Sequence, residues 1–213
     1  MERKINKIGL FPNNNEKSLS ILKKVKEEIK PEEIDDFFNK LNHNEFKVDE
    51  VGIQETKVIS QTGENKLYSL NEIVVRDKDL NTVKLKIRID DTLLEKYVGD
   101  GILVSTSVGS TAYNTSFKGA IVYNTLHTLQ ITPIAPINTK AYRNLLAPLI
   151  LPEEKHIDIF PIKKDLVIIL DGENHYFDNV QKIECFVKNK KLKFLRMSEY
   201  NFIDIINEKF LND

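Results

Sequence analysis

Four shortages narrow what this sequence can be. It has one cysteine, Cys185, which excludes an intrachain disulfide and any zinc cluster built on several thiolates. Its four histidines, His43, His127, His156 and His175, fall at no metal-ligand spacing and read as structural or surface residues. No apolar run approaches the ~18 residues of a membrane span, and Met1-Glu2-Arg3-Lys4 leads into a mixed strand rather than the apolar core of a signal peptide. There is no basic surplus either: 31 Lys+Arg stand against 32 Asp+Glu, a net charge of −1 that argues against a nucleic-acid partner. What remains is 213 residues, 41% hydrophobic and 30% charged. That composition predicts a soluble, cytoplasmic globular chain with no membrane partner, built as one large domain or two small ones.

Periodicity supplies the organisation. Residues 7–12 read as a short strand, and Leu19, Leu22, Val25 and Ile29 recur at helical spacing. Pro31 opens a second helix, with Glu32 and Glu33 suited to its N-terminus and Ile34, Phe37, Phe38 and Leu41 as its apolar stripe. After Asn44 the period changes to two. Strands are predicted over 48–60, 67–75, 83–89, 102–105, 130–132, 157–160, 166–170, 183–187 and 192–195. Turns are predicted at 63–65 and 77–79, and Lys188-Asn189-Lys190-Lys191 reads as a charged hairpin turn. Residues 203–211 read as a closing helix with Ile203, Ile206 and Phe210 on one face. One strand and two helices before the β-rich body are too few for a doubly wound sheet. The expected class is α+β: a truncated α/β N-terminal part, a β-rich, β-sandwich-like body and a C-terminal helix.

Three places could carry chemistry. In 99–116 a strand feeds a small-residue turn, and a short helix is expected to start near Ser110 or Thr111. Exposed N–H groups there, beside Gly109, suit a phosphate or other polar ligand; an ordinary strand–turn–helix with a Ser/Thr cap is the plainer alternative. Asn71 and Glu72 interrupt an otherwise apolar strand. Adjacent strand residues face opposite ways, so both reach one ligand only at a strand end or bulge. Asp90 and Asp91 follow a strand and read either as solvated turn carboxylates or as a metal pair. Cys185 alternates with apolar neighbours and reads as core.

The pair Asn71-Glu72, then Gly99-Asp100-Gly101, then Thr106 with Gly109-Ser110-Thr111-Ala112-Tyr113, closely resembles the NAD kinase family. Ser116, Gly119-Ala120-Ile121-Val122, Thr132-Pro133-Ile134-Ala135-Pro136, Pro148-Leu149-Ile150-Leu151-Pro152 and Leu170-Asp171-Gly172 continue the resemblance in order. It implies a remnant of an α/β ATP-site domain over 1–45 and a β-rich NAD-binding domain over 46–196. A C-terminal tail, 197–213, would pack back on the N-terminal part. The family reaction is ATP-dependent phosphorylation of the 2′-hydroxyl of the adenosine ribose of NAD, giving NADP, with ATP and Mg as implied cofactors. Carried over by position, Asn71 and Thr111 would contact adenine, and Glu72 the ribose hydroxyls. Asp100, Ala112 and Ser116 would line the nicotinamide side, Tyr113 would stack near the dinucleotide, and Ala135 and Ile137 would form pocket wall. Val108 departs from the polar residue common at its position. A homo-oligomer is implied by resemblance only.

The larger departure is the family's Gly-Gly-Asp-Gly-Thr loop, which cradles ATP phosphates and supplies an Asp at the reacting hydroxyl. No such loop occurs in these 213 residues, and the Gly-Asp-Gly at 99–101 belongs to the later motif. Phosphoryl transfer rests on such positioning. Three readings stay open: an active phosphotransferase, a catalytically inactive NAD(P)-binding module, and an oligomerisation module.

Overall fold

The computed structural model describes residues 31–163, 165–197 and 201–212. The strand and helix expected before Pro31 lie outside the described residues. The chain divides into two compact units, Met1–Lys47 with Arg196–Tyr200, and Val48–Leu195 with Asn201–Asp213.

In the first unit, the helix Pro31–Asn42 begins on proline, whose fixed φ suits the first turn. Asp36 and Lys40 form an i,i+4 ion pair of 2.8 Å on its surface. The helix stops because Asn44 adopts φ 58, which lets Glu45 N–H return to Lys40 O at 2.9 Å. Of the expected stripe, Leu41 is buried and Phe38 is half exposed; the side chains of Ile34 and Phe37 lie outside the described residues.

The second unit is a β-sandwich. Its first sheet has the order β2-β1-β12-β9-β4-β5, from Gly63–Ser69, Phe46–Ser60, Val180–Met197, Ile157–Pro161, Val83–Ile89 and Thr92–Gly99. The second runs β11-β10-β3-β6-β7-β8, from Glu173–Phe177, Leu166–Leu170, Glu72–Asp77, Gly101–Thr106, Thr128–Ile134 and Leu149–Pro152. Alternation explains the facing: Val83, Leu85 and Ile87 of β4 meet Ile73, Val75, Ile102 and Val104 in the shared core, while Lys84 and Lys86 stay outside. β6 is buried on both faces, as its unbroken apolar run requires. Its outward Leu103 packs with Val74 and Ile134 under Phe117 and Ile169. Cys185 is core, as expected. No helix among the described residues is long and apolar enough to cross a membrane. Helix, two-sheet body and closing helix give the expected α+β arrangement.

Several boundaries differ from the sequence reading. The expected strand 67–75 is two strands, interrupted at Leu70-Asn71. The first hairpin turns at Gln61-Thr62, so Gly63 already pairs with Ser60. No hairpin turn interrupts Lys188–Lys191, because β12 runs continuously from Val180 to Met197. Lys188 is held in the strand by Glu55 at 2.8 Å and Lys191 by Glu153 at 2.9 Å. β5, β8 and β11 are strands beyond those that periodicity predicts. The closing helix, Phe202–Phe210, starts earlier than expected because Asn201 caps it, its side chain accepting from Ile203 N–H at 3.0 Å. Its buried anchor is Phe202, whose ring lies 4.6 Å from that of Tyr123, whereas Ile203 is half exposed.

Candidate functional site

The break between β2 and β3 organises the site. Leu70 and Asn71 lie outside the ladder, and the Asp171 carboxylate takes their N–H groups. Leu70 donates at 2.7 Å, Asn71 at 2.8 Å, and Glu72, the first residue of β3, at 3.1 Å. Asp171 (φ 44) and Gly172 (φ 88) are the left-handed pair of a tight β10–β11 turn, a conformation that Asp and Gly tolerate. Asp171 N–H donates back to Glu72 O at 3.2 Å.

Thr106, at the end of β6, holds the other edge. Its N–H donates to Asn71 O at 2.9 Å and its hydroxyl to Leu70 O at 2.6 Å, while Gly109 N–H donates to that hydroxyl at 3.1 Å. A Cβ at Gly109 would collide with the Asn71 carbonyl, so only glycine lets the two backbones approach this closely.

Glu72 is thereby fixed in a buried position, 5% exposed, with its Oε2 lacking any hydrogen-bond partner. Burial, reinforced by the Asp171 charge, raises its pKa from 4.5 to about 7; the Tyr113 N–H and the Lys209 charge oppose the rise. A buried carboxylate oxygen without a donor is costly, and it selects for a ligand that brings one.

The segment after β6 is helical, as expected, but it is two 3-10 turns, Val108–Thr111 and Tyr113–Phe117, joined at Ala112, rather than one helix starting near Ser110 or Thr111. Turns of this length do not build the aligned N-terminal amides that hold phosphate. A buried polar network fixes them instead. The Ser110 hydroxyl donates to Val122 O at 3.1 Å and accepts from Val122 N–H at 3.0 Å. Asn114 donates to Ser110 O at 3.2 Å and accepts from the Thr132 hydroxyl at 2.7 Å. Gln130 brackets Ala120, accepting from its N–H at 2.8 Å and donating to its carbonyl at 3.1 Å. Lys209 of the closing helix donates to Thr111 O at 2.6 Å. On this scaffold Tyr113 is 43% exposed and stands edge-on to Phe117, centroids 4.9 Å apart. Ser116 is exposed; Thr111 and Ala112 are half-buried.

The structure therefore gathers Asn71, Glu72, Thr111, Ala112, Tyr113 and Ser116 at one end of β6. It does not bring Asp100, Ala135 and Ile137 to them. These three lie at the other end, where Asp100 N–H donates to Ile134 O at 3.0 Å and Ile137 N–H to Val98 O at 2.8 Å. Along β6 the two groups stand roughly 17 Å apart. Asp90 is engaged structurally, taking Lys155 at 2.6 Å and His156 N–H at 3.0 Å. Sequence reasoning noted Asp171, Asn114 and Thr132 but gave them no role, and it missed Lys209. Gln130 and Thr132 carried a usable signal as polar residues alternating with buried Leu129 and Ile131 on β7.

The family described as the ATP-NAD kinase C-terminal domain matches residues 70–197. The NAD kinase of Finegoldia magna is 34% identical over 194 residues, 87% of this chain and 70% of that protein. The NAD kinase of Sulfurimonas denitrificans is 30% identical over 180 residues, 84% of this chain and 62% of that protein. Among solved structures, yeast NADH kinase complexed with NADH superposes with a TM-score of 0.74 at 24% identity, covering 85% of this chain and 54% of that one. An Archaeoglobus fulgidus NAD kinase in complex with ATP gives 0.65 at 21% identity, covering 82% and 64%. At these identities the solved structures speak to the fold alone, and the chain spans 54–70% of these four proteins.

Proposed function

The chain belongs to the NAD kinase family, and on that premise we propose that the corner formed by Asn71, Glu72 and Tyr113 binds NAD or NADP. The observation that carries this reading is the buried, donor-less Oε2 of Glu72. Ribose hydroxyls supply the missing donors, and a charged carboxylate accepts them best. Binding then favours ionised Glu72 and releases a proton wherever the free protein still holds one, below about pH 7. The Asn71 amide offers a paired donor and acceptor to the adenine edge, and the Tyr113 ring gives it a stacking face. Thr111, Ala112 and Ser116 complete this wall.

Asp100, Ala135 and Ile137 sit too far along β6 to touch a group bonded to Glu72. A homo-oligomer, in which a neighbouring chain presents that end, is part of the proposal. The Glu72 corner does not fit ATP with Mg. Its 3-10 turns cradle no phosphate, and no group of three or more His, Cys, Asp or Glu among the described residues could hold a metal ion. No transfer step is derived from them, so NAD(P) binding stands ahead of turnover.

Calorimetric titration with NAD and with NADP tests the reading. Asn71→Ala or Tyr113→Ala is expected to weaken binding at least tenfold, a loss of about 1.4 kcal/mol or more. Absence of both heat and thermal shift with either ligand removes the proposal. NADP formation from NAD, ATP and Mg²⁺ above a no-protein control replaces it with the phosphotransferase reading.

A further inference from the structure

The outer face of the first sheet, at its β5 edge, carries positive charge that is left unpaired among the described residues. The pleat that sends Leu85 and Ile87 into the core puts Lys84 and Lys86 outside, and β5 likewise buries Tyr97 and exposes Lys96. The antiparallel register sets Lys86 directly opposite Lys96. Like charges facing one another across adjacent strands are destabilising. Lys84 follows two residues along, and Arg143 arrives from the loop after β7. None of these four cations forms an ion pair among the described residues. The contrast lies on the same sheet: Lys182 meets Asp158 at 3.0 Å and Glu184 at 2.7 Å, and Lys57 meets Glu184 at 3.5 Å.

The four cations line a groove of about 800 Å³ whose other walls include Leu93, Tyr142, Phe160 and Ile162. That size falls in the range of ligand sites, about 300–1,000 Å³. The Tyr142 ring centroid lies 5.7 Å from Lys84 Nζ and that of Phe160 lies 5.9 Å from Lys86 Nζ. Glu95 is the one carboxylate of the lining. Its Oε2 accepts from Leu145 N–H at 2.9 Å and burial pushes its pKa up, and it stands alone against four cations. The groove is also held open in advance. Ala141 and Tyr142 N–H both donate to the Thr139 hydroxyl at 3.2 Å, and Thr139 N–H donates to Tyr142 O at 2.8 Å. Asn144 then bonds both backbone groups of Val98, donating at 2.9 Å and accepting at 3.2 Å.

We propose that this groove is a second ligand site, distinct from the Glu72 corner on the other sheet, and that it takes a nucleoside polyphosphate. The phosphates bridge Lys86 and Lys96, with Lys84 and Arg143 beside them, and the base lies against Tyr142 or Phe160. Apolar walls with a cationic rim suit an anion that carries a flat ring, and the bridging phosphate removes the repulsion between the facing lysines.

The test uses the full chain at low ionic strength, with ADP, pyrophosphate and adenosine as separate probes. ADP is expected to raise the melting temperature most, pyrophosphate less and adenosine least. Photolabelling with 8-azido-ADP is expected to mark residues between 84 and 98 or around 142, and to persist in Asn71→Ala. Lys96→Gln is expected to raise the melting temperature of the ligand-free protein by relieving the Lys86 contact, and to weaken ADP binding at this groove at least tenfold. Lys86→Glu is expected to abolish the groove label. Labelling confined to residues 71–72 and 108–117 overturns the proposal, as does groove labelling unchanged by Lys86→Glu. Tighter binding of a poly-glutamate peptide than of ADP at the groove overturns it in favour of an acidic-peptide site.

Discussion

Replacing Glu72 with Gln isolates the energetics of the site without changing its shape. A carboxyl group raised from 4.5 to about 7 sets about 3 kcal/mol against its charged form, which partial access of water lowers to about 2 kcal/mol. Between these two values the folded chain holds a proton that the unfolded chain has released. Stability therefore falls as pH rises through this window, the reverse of a salt-bridged carboxylate. The wild-type protein is expected to lose about 2 kcal/mol from this position between pH 5 and pH 8, and Glu72→Gln none. Any constant cost of seating the amide cancels when the two pH values are subtracted. Urea denaturation followed by far-UV circular dichroism suits the measurement, since the chain has no tryptophan. If the stability difference between variant and wild type is the same at pH 5 and pH 8, within about 0.5 kcal/mol, the carboxylate is not strained and the reasoning fails. A stabilised variant that binds NAD more weakly would match the usual exchange between stability and a functional site.

Two further substitutions probe the backbone around that carboxylate. Asp171→Ala strips three N–H groups of a charged acceptor, two of them near solvent; it is expected to cost about 2–4 kcal/mol. It should also lower the Glu72 pKa by removing the neighbouring negative charge, and an unchanged titration of Glu72 would contradict the coupling. Gly109→Ala drives a methyl group against the Asn71 carbonyl and is expected to destabilise by about 1–3 kcal/mol. The same change should weaken NAD binding, and preserved stability together with preserved affinity would show that the two backbones are free to separate.

What was legible in the sequence followed local pattern. Alternation located β4 and β9, and the unbroken apolar runs of β6 and β10 announced strands covered on both faces. The polarity of Asn71-Glu72 points to a strand end or a bulge, and the structure shows a strand end there, inside the run that periodicity alone reads as one strand. The illegible parts depend on partners distant in sequence. Lys188 and Lys191 sit mid-strand only because Glu55 and Glu153 face them, and a run of lysines carries no sign of that. β11, with the sequence Glu-Asn-His-Tyr-Phe, is a polar edge strand whose ladder rests on the turn at Asp171-Gly172 rather than on its own propensity. In the candidate site, the family resemblance named the residues and implied a single pocket for them. The antiparallel course of β6 separates Asp100, Ala135 and Ile137 from the rest, a fact of topology that no spacing contains.

The tie from Asp171 to residues 70–72 also constrains when the site can come into being. Its hydrogen bonds span 99 to 101 residues of chain, so the loop they close is among the costlier ones in entropy. During synthesis the N–H groups of Leu70, Asn71 and Glu72 wait for an acceptor that emerges about 100 residues later, which at about 5–20 residues per second means several seconds. Until then residues 70–72 are held by Thr106 and by the pairing of β3 with β6. The candidate site is thus a late product of folding, assembled when the β10–β11 turn docks.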